Sequence, residues 1–166
     1  MAKYESPSYT ILKKDKNIEV RHYDTYYTST VHETSLAGKS GFGVLFSYIS
    51  GKNDAKKKIS MTVPVINELD QDMSMEFVVP KEYYDNIPSP QDKRITIKKH
   101  PEKEVAVYSF SGFSNEKKIQ KIQTKLQIWL KDQHLTPTGN YILARYNPPI
   151  TPPCFRKNEL MIEIME

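Results

Sequence analysis

The sequence predicts an α+β fold in which a curved antiparallel sheet or open barrel carries two helices. Three observations lead to this prediction. The chain of 166 residues holds eleven tyrosines and many β-branched residues, which are typical of strands. Two segments read as helices. The order of strands and helix is also similar in the two halves of the chain, residues 9–80 and 94–165. We therefore expect a pseudo-two-fold arrangement with one helix from each half packed on the sheet.

In the first half, strands precede and follow a single helix. The helix is predicted over residues 34–51, where Thr34 or Ser35 begins it and Gly51 ends it. Strands are predicted over residues 9–14, 18–23, 26–33, 58–66 and 73–80.

The second half repeats this order. Its helix is predicted over residues 114–134, with Ser114 as the cap. Residues 18–31 can be laid over residues 95–110 at an offset of about 80 residues, which suits a duplicated α+β unit. Strands are predicted over residues 95–100, 103–112, 140–147 and 158–165.

Composition favours one globular domain over residues 1–166, with 38% hydrophobic residues and a net charge of +4. The single cysteine, Cys154, excludes an intramolecular disulfide framework. No apolar leader follows Met1 and no run reaches the roughly 18 apolar residues of a membrane span, so a cytoplasmic location without a span is expected. Without a nucleic-acid-binding motif we expect no nucleic-acid partner. A monomer is favoured, although the oligomeric state stays open.

The two predicted helices differ in their apolar faces. In the second helix, nearly all apolar side chains fall within an arc of roughly 100°, which suits one core face. In the first helix they cover roughly 200°. Those residues are Phe42, Val44, Leu45, Phe46, Tyr48 and Ile49. This arc is wider than one core face needs. Its extra apolar side chains are expected to face an apolar ligand or to be covered by a neighbouring loop or a partner protein.

A histidine stands at an unexpected position in the segment "NIEVRHY", residues 17–23. Side chains alternate between the two faces of a strand, so His22 shares a face with Ile18 and Val20. It is either an ordinary core histidine with a hydrogen bond or a ligand for a metal.

Motifs for catalysis are absent from the sequence. There is no G-x-S-x-G, no phosphate-binding loop and no histidine spacing for a closed zinc site. Haem is less demanding, since it needs one axial ligand, an apolar slot and cations for its propionates. The chain offers His22, the first helix, and cations at Lys39, Arg21 or residues 56–58 for these roles.

Several blocks resemble the SOUL/haem-binding protein family. They include "YTILKKDKNIEVRHYDTYYTSTV", "GFGVLFSYISGKNDAKKKISMTVPV", "VAVYSFSGF" and "RKNELMI", in order from about residue 9 to residue 164. The resemblance implies a distorted antiparallel β-barrel built from two related halves, each with one main helix. It also implies non-covalent binding of haem or another tetrapyrrole without an enzymatic reaction.

The resemblance implies two different haem sites. In SOUL-type members, a histidine in the matching strand is proposed as the axial iron ligand, and His22 occupies that position. In the other branch, haem lies against the first helix among apolar contacts and basic side chains. Lys39 matches a basic position of that branch, whereas Ser47 replaces a second one. The candidate haem contacts on this helix are Lys39, Phe42, Leu45, Phe46 and Ile49.

The sequence thus predicts reversible sequestration or carriage of haem in an apolar cleft with a basic rim. The alternative is a small-molecule sensor or protein-interaction module of the same fold that does not bind haem. An enzyme is a third possibility, for which Glu159 and Arg145 are the acid–base candidates.

Overall fold

The computed structural model describes residues 4–33, 39–69, 73–148 and 150–165. These residues form nine strands and two α-helices, α1 (Lys39–Ile49) and α2 (Glu116–Asp132). The strands are β1 (Tyr9–Asp15), β2 (Ile18–Tyr23), β3 (Tyr26–His32), β4 (Val65–Leu69), β5 (Ser74–Val78), β6 (Thr96–His100), β7 (Lys103–Phe110), β8 (Thr136–Arg145) and β9 (Asn158–Met165).

The strands form one antiparallel sheet in the order β1-β2-β7-β9-β8-β4-β5-β3-β6. This confirms the predicted α+β class. The barrel implied by the family resemblance is not confirmed, because β1 and β6 remain the two edges of an open sheet in the part of the chain described. A physical reason lies in β1, whose seven residues are all exposed. It has no buried apolar face that would hold it against the opposite edge.

Apart from the edge strand β1, the strand order is symmetric about the central β8–β4 pair. Strands β2 and β6, β3 and β7, β4 and β8, and β5 and β9 occupy equivalent places on the two sides. Strand β2 pairs with β7 of the second half, and β6 pairs with β3 of the first half. Each half therefore donates one strand to the other, which ties the halves together. A duplication would produce this order, but the duplication itself stays a prediction.

The sheet curls so that strands far apart in its order meet across its inner face. The Lys103 ammonium of β7 lies 5.5 Å from the ring centroid of Tyr26 in β3. Helix α1 packs on β3 and β5, and α2 packs on β7, β8 and β9. The inner face between the halves is filled by a core of Tyr23, Tyr26, Ile66, Val78, Val105, Val107, Ala144 and Met161.

The same inner face also holds a buried ion pair. Both oxygens of Glu159 accept hydrogen bonds from Arg21, at 3.0 and 2.6 Å. Arg21 also donates to Glu19 at 2.7 Å and to the Tyr23 hydroxyl at 2.9 Å. Burial alone would lower the pKa of the Arg21 guanidinium, but its bond to Glu159 keeps that pKa raised. Arg21 therefore stays charged inside the protein.

A second buried carboxylate, Glu76, lies towards the β6 edge. It accepts hydrogen bonds from Thr28 at 2.6 Å and pairs with the His100 ring nitrogen at 2.8 Å. The His100 ring stacks on Tyr26 at 4.5 Å. Burial by itself would raise the pKa of Glu76, but the bonds to His100 and Thr28 hold it below the usual value of 4.5. The ionised form of Glu76 thus stabilises the fold.

Glu76 should make the stability of the protein depend on acid pH. Because its pKa is lowered in the folded state, its contribution is present above pH 4.5 and is lost as the pH falls below it. We expect Glu76→Gln to lower the free energy of unfolding at pH 7 by about 1–3 kcal/mol, and the difference from wild type to shrink below pH 4.5. Urea denaturation at pH 7, 5, 4 and 3 measures this.

A matched variant checks that the pH effect belongs to the buried site. Glu82 is an exposed carboxylate, so Glu82→Gln should follow the wild-type curve at every pH. A constant gap between wild type and Glu76→Gln from pH 7 to pH 3 would contradict the assignment.

Several element boundaries differ from the prediction, two of them for a clear local reason. The N-cap of α2 is Asn115 rather than Ser114, because the Asn115 side chain accepts from the Lys118 N–H at 2.9 Å. Strand β4 begins only at Val65, after Pro64, which has no N–H for a ladder bond. Helix α1 ends at Ile49 as expected, whereas residues 34–38, where its start was predicted, lie outside the described residues.

Candidate functional site

Helix α1 divides its apolar residues between the core and the surface. Leu45 is 0% exposed, and Tyr48 and Ile49 are also buried in a core shared with β3, β5 and β6. In contrast, Phe42 and Phe46 are 39% and 49% exposed. The surplus predicted from the sequence is therefore real, and it consists of these two phenyl rings.

The two exposed rings form a flat surface. Phe42 and Phe46 lie one helical turn apart and stack at 5.9 Å with an angle of 14° between their planes. Phe42 also contacts the buried Phe77 edge-on at 5.2 Å, which holds its orientation. Gly43 lies beside them, and a Cβ atom built there would meet nothing within 4 Å. We call Phe42, Gly43 and Phe46 the α1 apolar face.

A groove of about 480 Å³ runs along the other side of Gly43. Its helix side is formed by Gly43, Val44, Ser47 and Tyr48, and its far side by Lys52 and residues 91, 92, 94 and 95. Its volume falls in the range of about 300–1,000 Å³ that is typical of small-molecule sites. Because Gly43 belongs to both, the groove and the α1 apolar face form one continuous surface.

The groove carries two cations and one carboxylate. Arg94 donates to Asp92 through Nε and Nη2, the latter at 2.7 Å, and the pair is exposed. The bonds from Arg94 lower the pKa of Asp92 to about 2, so this carboxylate is ionised at neutral pH. Lys52 adds a second cation on the same side. The rim therefore has a net positive charge and suits an anionic group.

Hydrogen bonds attach the loop that carries Arg94 to the helix. The buried Tyr48 hydroxyl donates to the Pro88 carbonyl at 2.6 Å. Burial raises the pKa of Tyr48 to about 12, so it stays a neutral donor. Asn53 is fully buried and donates to the carbonyls of Tyr48 and Lys57, which explains the need for asparagine in the block "YISGKN".

The start of α1 is held by Glu33. Its carboxylate accepts a hydrogen bond from the Gly41 N–H at 2.6 Å, where the positive end of the helix dipole favours an anion. A Cβ atom at position 41 would overlap the same carboxylate oxygen, so a larger residue there would have to displace the Glu33 side chain. Lys39 begins the helix, but its side chain lies outside the described part, and its predicted role stays a prediction.

His22 lies on a different part of the fold. Strand β2 pairs with β1 and β7, whereas α1 packs on β3 and β5. Ile18 and Val20 are buried under α2 as alternation predicts, but the His22 side chain is 37% exposed and lies 3.6 Å from Glu102. The side chains of His22, Asp24 and Glu102 have their ligand atoms within 4.8 Å of one another. His22 is therefore a partly exposed residue near the end of β2 rather than a core histidine.

The structure places the other site residues suggested by the sequence in different environments. Leu45 and Ile49 are core residues in this conformation, whereas Phe42 and Phe46 are accessible. Glu159 is engaged by Arg21 on the inner face, while Arg145 donates to Ser114 and Asn67, each at 3.3 Å. These hydrogen bonds join the two suggested acid–base residues to different partners.

Sequence reasoning missed Lys52 and Arg94 as the cations of this groove. Both stand in segments with a recognisable signal, since Lys52 lies in "YISGKN" directly after α1 and Arg94 ends the connector "PSPQDKR". Neither signal shows by itself that the two segments meet.

The fold and this site define an α+β protein with an open nine-stranded sheet and a ligand-sized groove beside its first helix. The family model described as "SOUL heme-binding protein" matches residues 4–163. The chain therefore belongs to the SOUL heme-binding protein family, as the sequence blocks predicted.

Two relatives are similar to this chain in sequence, and one solved structure is similar in fold. Human "Heme-binding protein 2" is 32% identical over 145 residues, which cover 80% of this chain and 71% of that protein. Mouse "Heme-binding protein 1" is 28% identical over 165 residues, covering 90% and 85% of the two chains. The EcmrR C-terminal domain is similar in fold, with a TM-score of 0.66 at 9% identity over 90% of this chain and 97% of that one. In the described residues, no helix is long and apolar enough to cross a membrane.

Proposed function

We propose that this protein binds haem, or a similar tetrapyrrole, reversibly and without covalent attachment on the α1 apolar face. The observation that carries the proposal is the pair of exposed, stacked phenyl rings of Phe42 and Phe46 beside the open Gly43. Membership of the SOUL heme-binding protein family and the names of the relatives support it.

The α1 apolar face suits a flat, apolar ligand for physical reasons. Two neighbouring phenyl rings are in contact with water when no ligand is bound. Covering apolar surface is favourable by roughly 25 cal/mol per Å². A ligand ring that covers them gains this free energy, and aromatic stacking adds to it. A side chain at position 43 would hold such a ring away from the helix, whereas glycine lets it approach the backbone.

The groove supplies partners for the acidic groups of haem. Lys52 and Arg94 lie across the groove from Gly43, so a ring on the apolar face can direct its propionates towards them. The bonds to Asp92 use Nε and Nη2 of Arg94 and do not use Nη1. Such charge-assisted bonds orient the ligand, and the exposed position of the site suits carriage and release rather than catalysis.

An absorbance titration with haemin tests the proposal. We expect saturable one-to-one binding by the wild type with a shifted Soret band. Gly43→Leu should weaken binding by about tenfold or more, because the new side chain covers the α1 apolar face. The variant should fold at least as stably as wild type, since space is open at position 43 and leucine favours a helix.

Two further variants complete the haem experiment. Gln120→Leu adds the same side chain to an exposed position of α2 and should leave binding unchanged. His22→Ala should keep both the Soret position and the affinity, because His22 is on β2 and not on the α1 surface. A changed Soret band in His22→Ala would move the site to His22. No saturable binding by wild type would reject haem binding and favour the sensor or interaction module.

A further inference from the structure

A second and larger groove lies beside α2. It has a volume of about 880 Å³, and six of its lining residues are cations: Lys117, Lys118, Lys121, Lys125, Arg156 and Lys157. We propose that this groove, which we call the α2 groove, binds a small molecule that carries several adjacent phosphate groups on an aromatic ring body. A nucleoside triphosphate is the simplest ligand of this class. The proposal is independent of haem binding at α1.

The charge of the α2 groove is one-sided. None of the described residues that line it is acidic. Lys117, Lys121 and Lys125 follow one another at four-residue intervals along α2, an arrangement that destabilises a helix by mutual repulsion. In the described residues, no ion pair involves these three lysines. A bound polyanion would relieve that repulsion.

Neutral groups hold the other cations in place. The Lys118 ammonium donates to the Ser111 carbonyl at 2.5 Å and lies 5.3 Å from the Phe110 ring centroid. Arg156 donates to the Thr151 carbonyl at 2.8 Å. Lys157 lies 4.4 Å from the Tyr146 ring centroid. The contacts of Lys118 and Lys157 position positive charge without neutralising it, which is how a preorganised anion site is built.

The floor of the groove is apolar and includes aromatic rings. It contains Tyr108, Phe110 and Ile122, so a ligand with a ring gains hydrophobic contact while its charged part meets the lysines. Lysine ammonium groups bind phosphate as compact point charges. The volume is that of a small-molecule site and not of an extended nucleic-acid surface. Charge, floor and size together favour an organic polyphosphate.

Isothermal titration calorimetry with sodium ATP as the probe tests this proposal at about 100 mM salt. We expect saturable one-to-one binding by the wild type. Lys121→Glu should weaken it about tenfold or more, because a charge-assisted bond is replaced by repulsion. Lys121 is exposed, so the variant should fold, and Lys125→Glu provides a second variant of the same groove. Inorganic tripolyphosphate should bind more weakly than ATP, since it has no ring for the floor.

The matched control is Lys131→Glu, on the same helix but outside the groove. It should change the ATP affinity by less than about twofold. An equal loss in Lys131→Glu and Lys121→Glu would show general attraction to a cationic protein and overturn the proposal, as would no binding by wild type. Tripolyphosphate binding as tight as that of ATP would reject the ring contact. Gly43→Leu should bind ATP normally, so the haem and phosphate proposals can fail separately.

Discussion

Replacing Glu159 with glutamine is expected to lower the free energy of unfolding by about 3–5 kcal/mol. Glu159 is 0% exposed and Arg21 is 2% exposed, and two hydrogen bonds join them. Glutamine has nearly the shape of glutamate but no charge. It would leave the buried Arg21 guanidinium with Glu19, at 2.7 Å from Nε, as its remaining carboxylate partner. The loss of the two-point charged pairing with Glu159 accounts for most of the expected destabilisation. Urea denaturation at pH 7 measures the change.

An exposed pair of the same chemistry provides the control. Arg94 and Asp92 also form a two-point guanidinium–carboxylate pair, but their side chains are 68% and 34% exposed. Asp92→Asn should therefore leave the free energy of unfolding almost unchanged. Replacing both partners of the buried pair with apolar residues, Arg21→Met with Glu159→Leu, should restore part of the loss because no unpaired guanidinium remains in the core. Only part is restored, since Glu19 also loses its Arg21 partner. Equal effects of Glu159→Gln and Asp92→Asn would contradict the role of burial.

Leu45→Ala and Phe46→Ala are expected to separate stability from ligand binding on one helix. Leu45 is fully buried, so its truncation leaves a cavity and should lower the free energy of unfolding by about 2–5 kcal/mol. Phe46 is half exposed, and its truncation should change stability by less than about 1 kcal/mol. For haem affinity the order reverses, since Phe46→Ala removes part of the proposed binding face and should weaken binding about tenfold.

The two measurements are made on the same preparations. Urea denaturation gives the stability of each variant, and the haemin titration gives its affinity at a temperature where all variants remain folded. Folded Leu45→Ala should bind haem within about threefold of wild type. A Leu45→Ala variant that loses haem affinity while Phe46→Ala keeps it would place the ligand in the core of α1 instead of on its exposed face.

The alternation of side chains along a strand predicted burial correctly for one face of β2. Alternation in β2 predicted that Ile18 and Val20 are buried, and both pack under α2. The same alternation puts Arg21 on the opposite face of the strand, but it does not indicate that this face is buried as well. The curled sheet covers both faces of β2, so the buried ion pair with Glu159, 138 residues away, could not be read from either segment alone.

The candidate site was predicted in part. The apolar surplus of the first helix was visible in the sequence, and the structure shows that it contains accessible rings. Which of its members are accessible depends on where β3 and β5 contact the helix, and that places Leu45 and Ile49 in the core. The cations Lys52 and Arg94 meet only because Tyr48 bonds to the Pro88 carbonyl and holds the connecting loop against α1.

By itself, the sequence determined the family, the α+β class and the surplus of apolar residues on the first helix. These properties depend on residue order and periodicity, which short segments carry. The tertiary structure decided that the sheet is open and that the Phe42 and Phe46 rings face solvent. It also decided that His22 is partly exposed while Arg21 is buried. Such properties depend on contacts between distant segments, because burial and charge pairing are set by what covers a side chain.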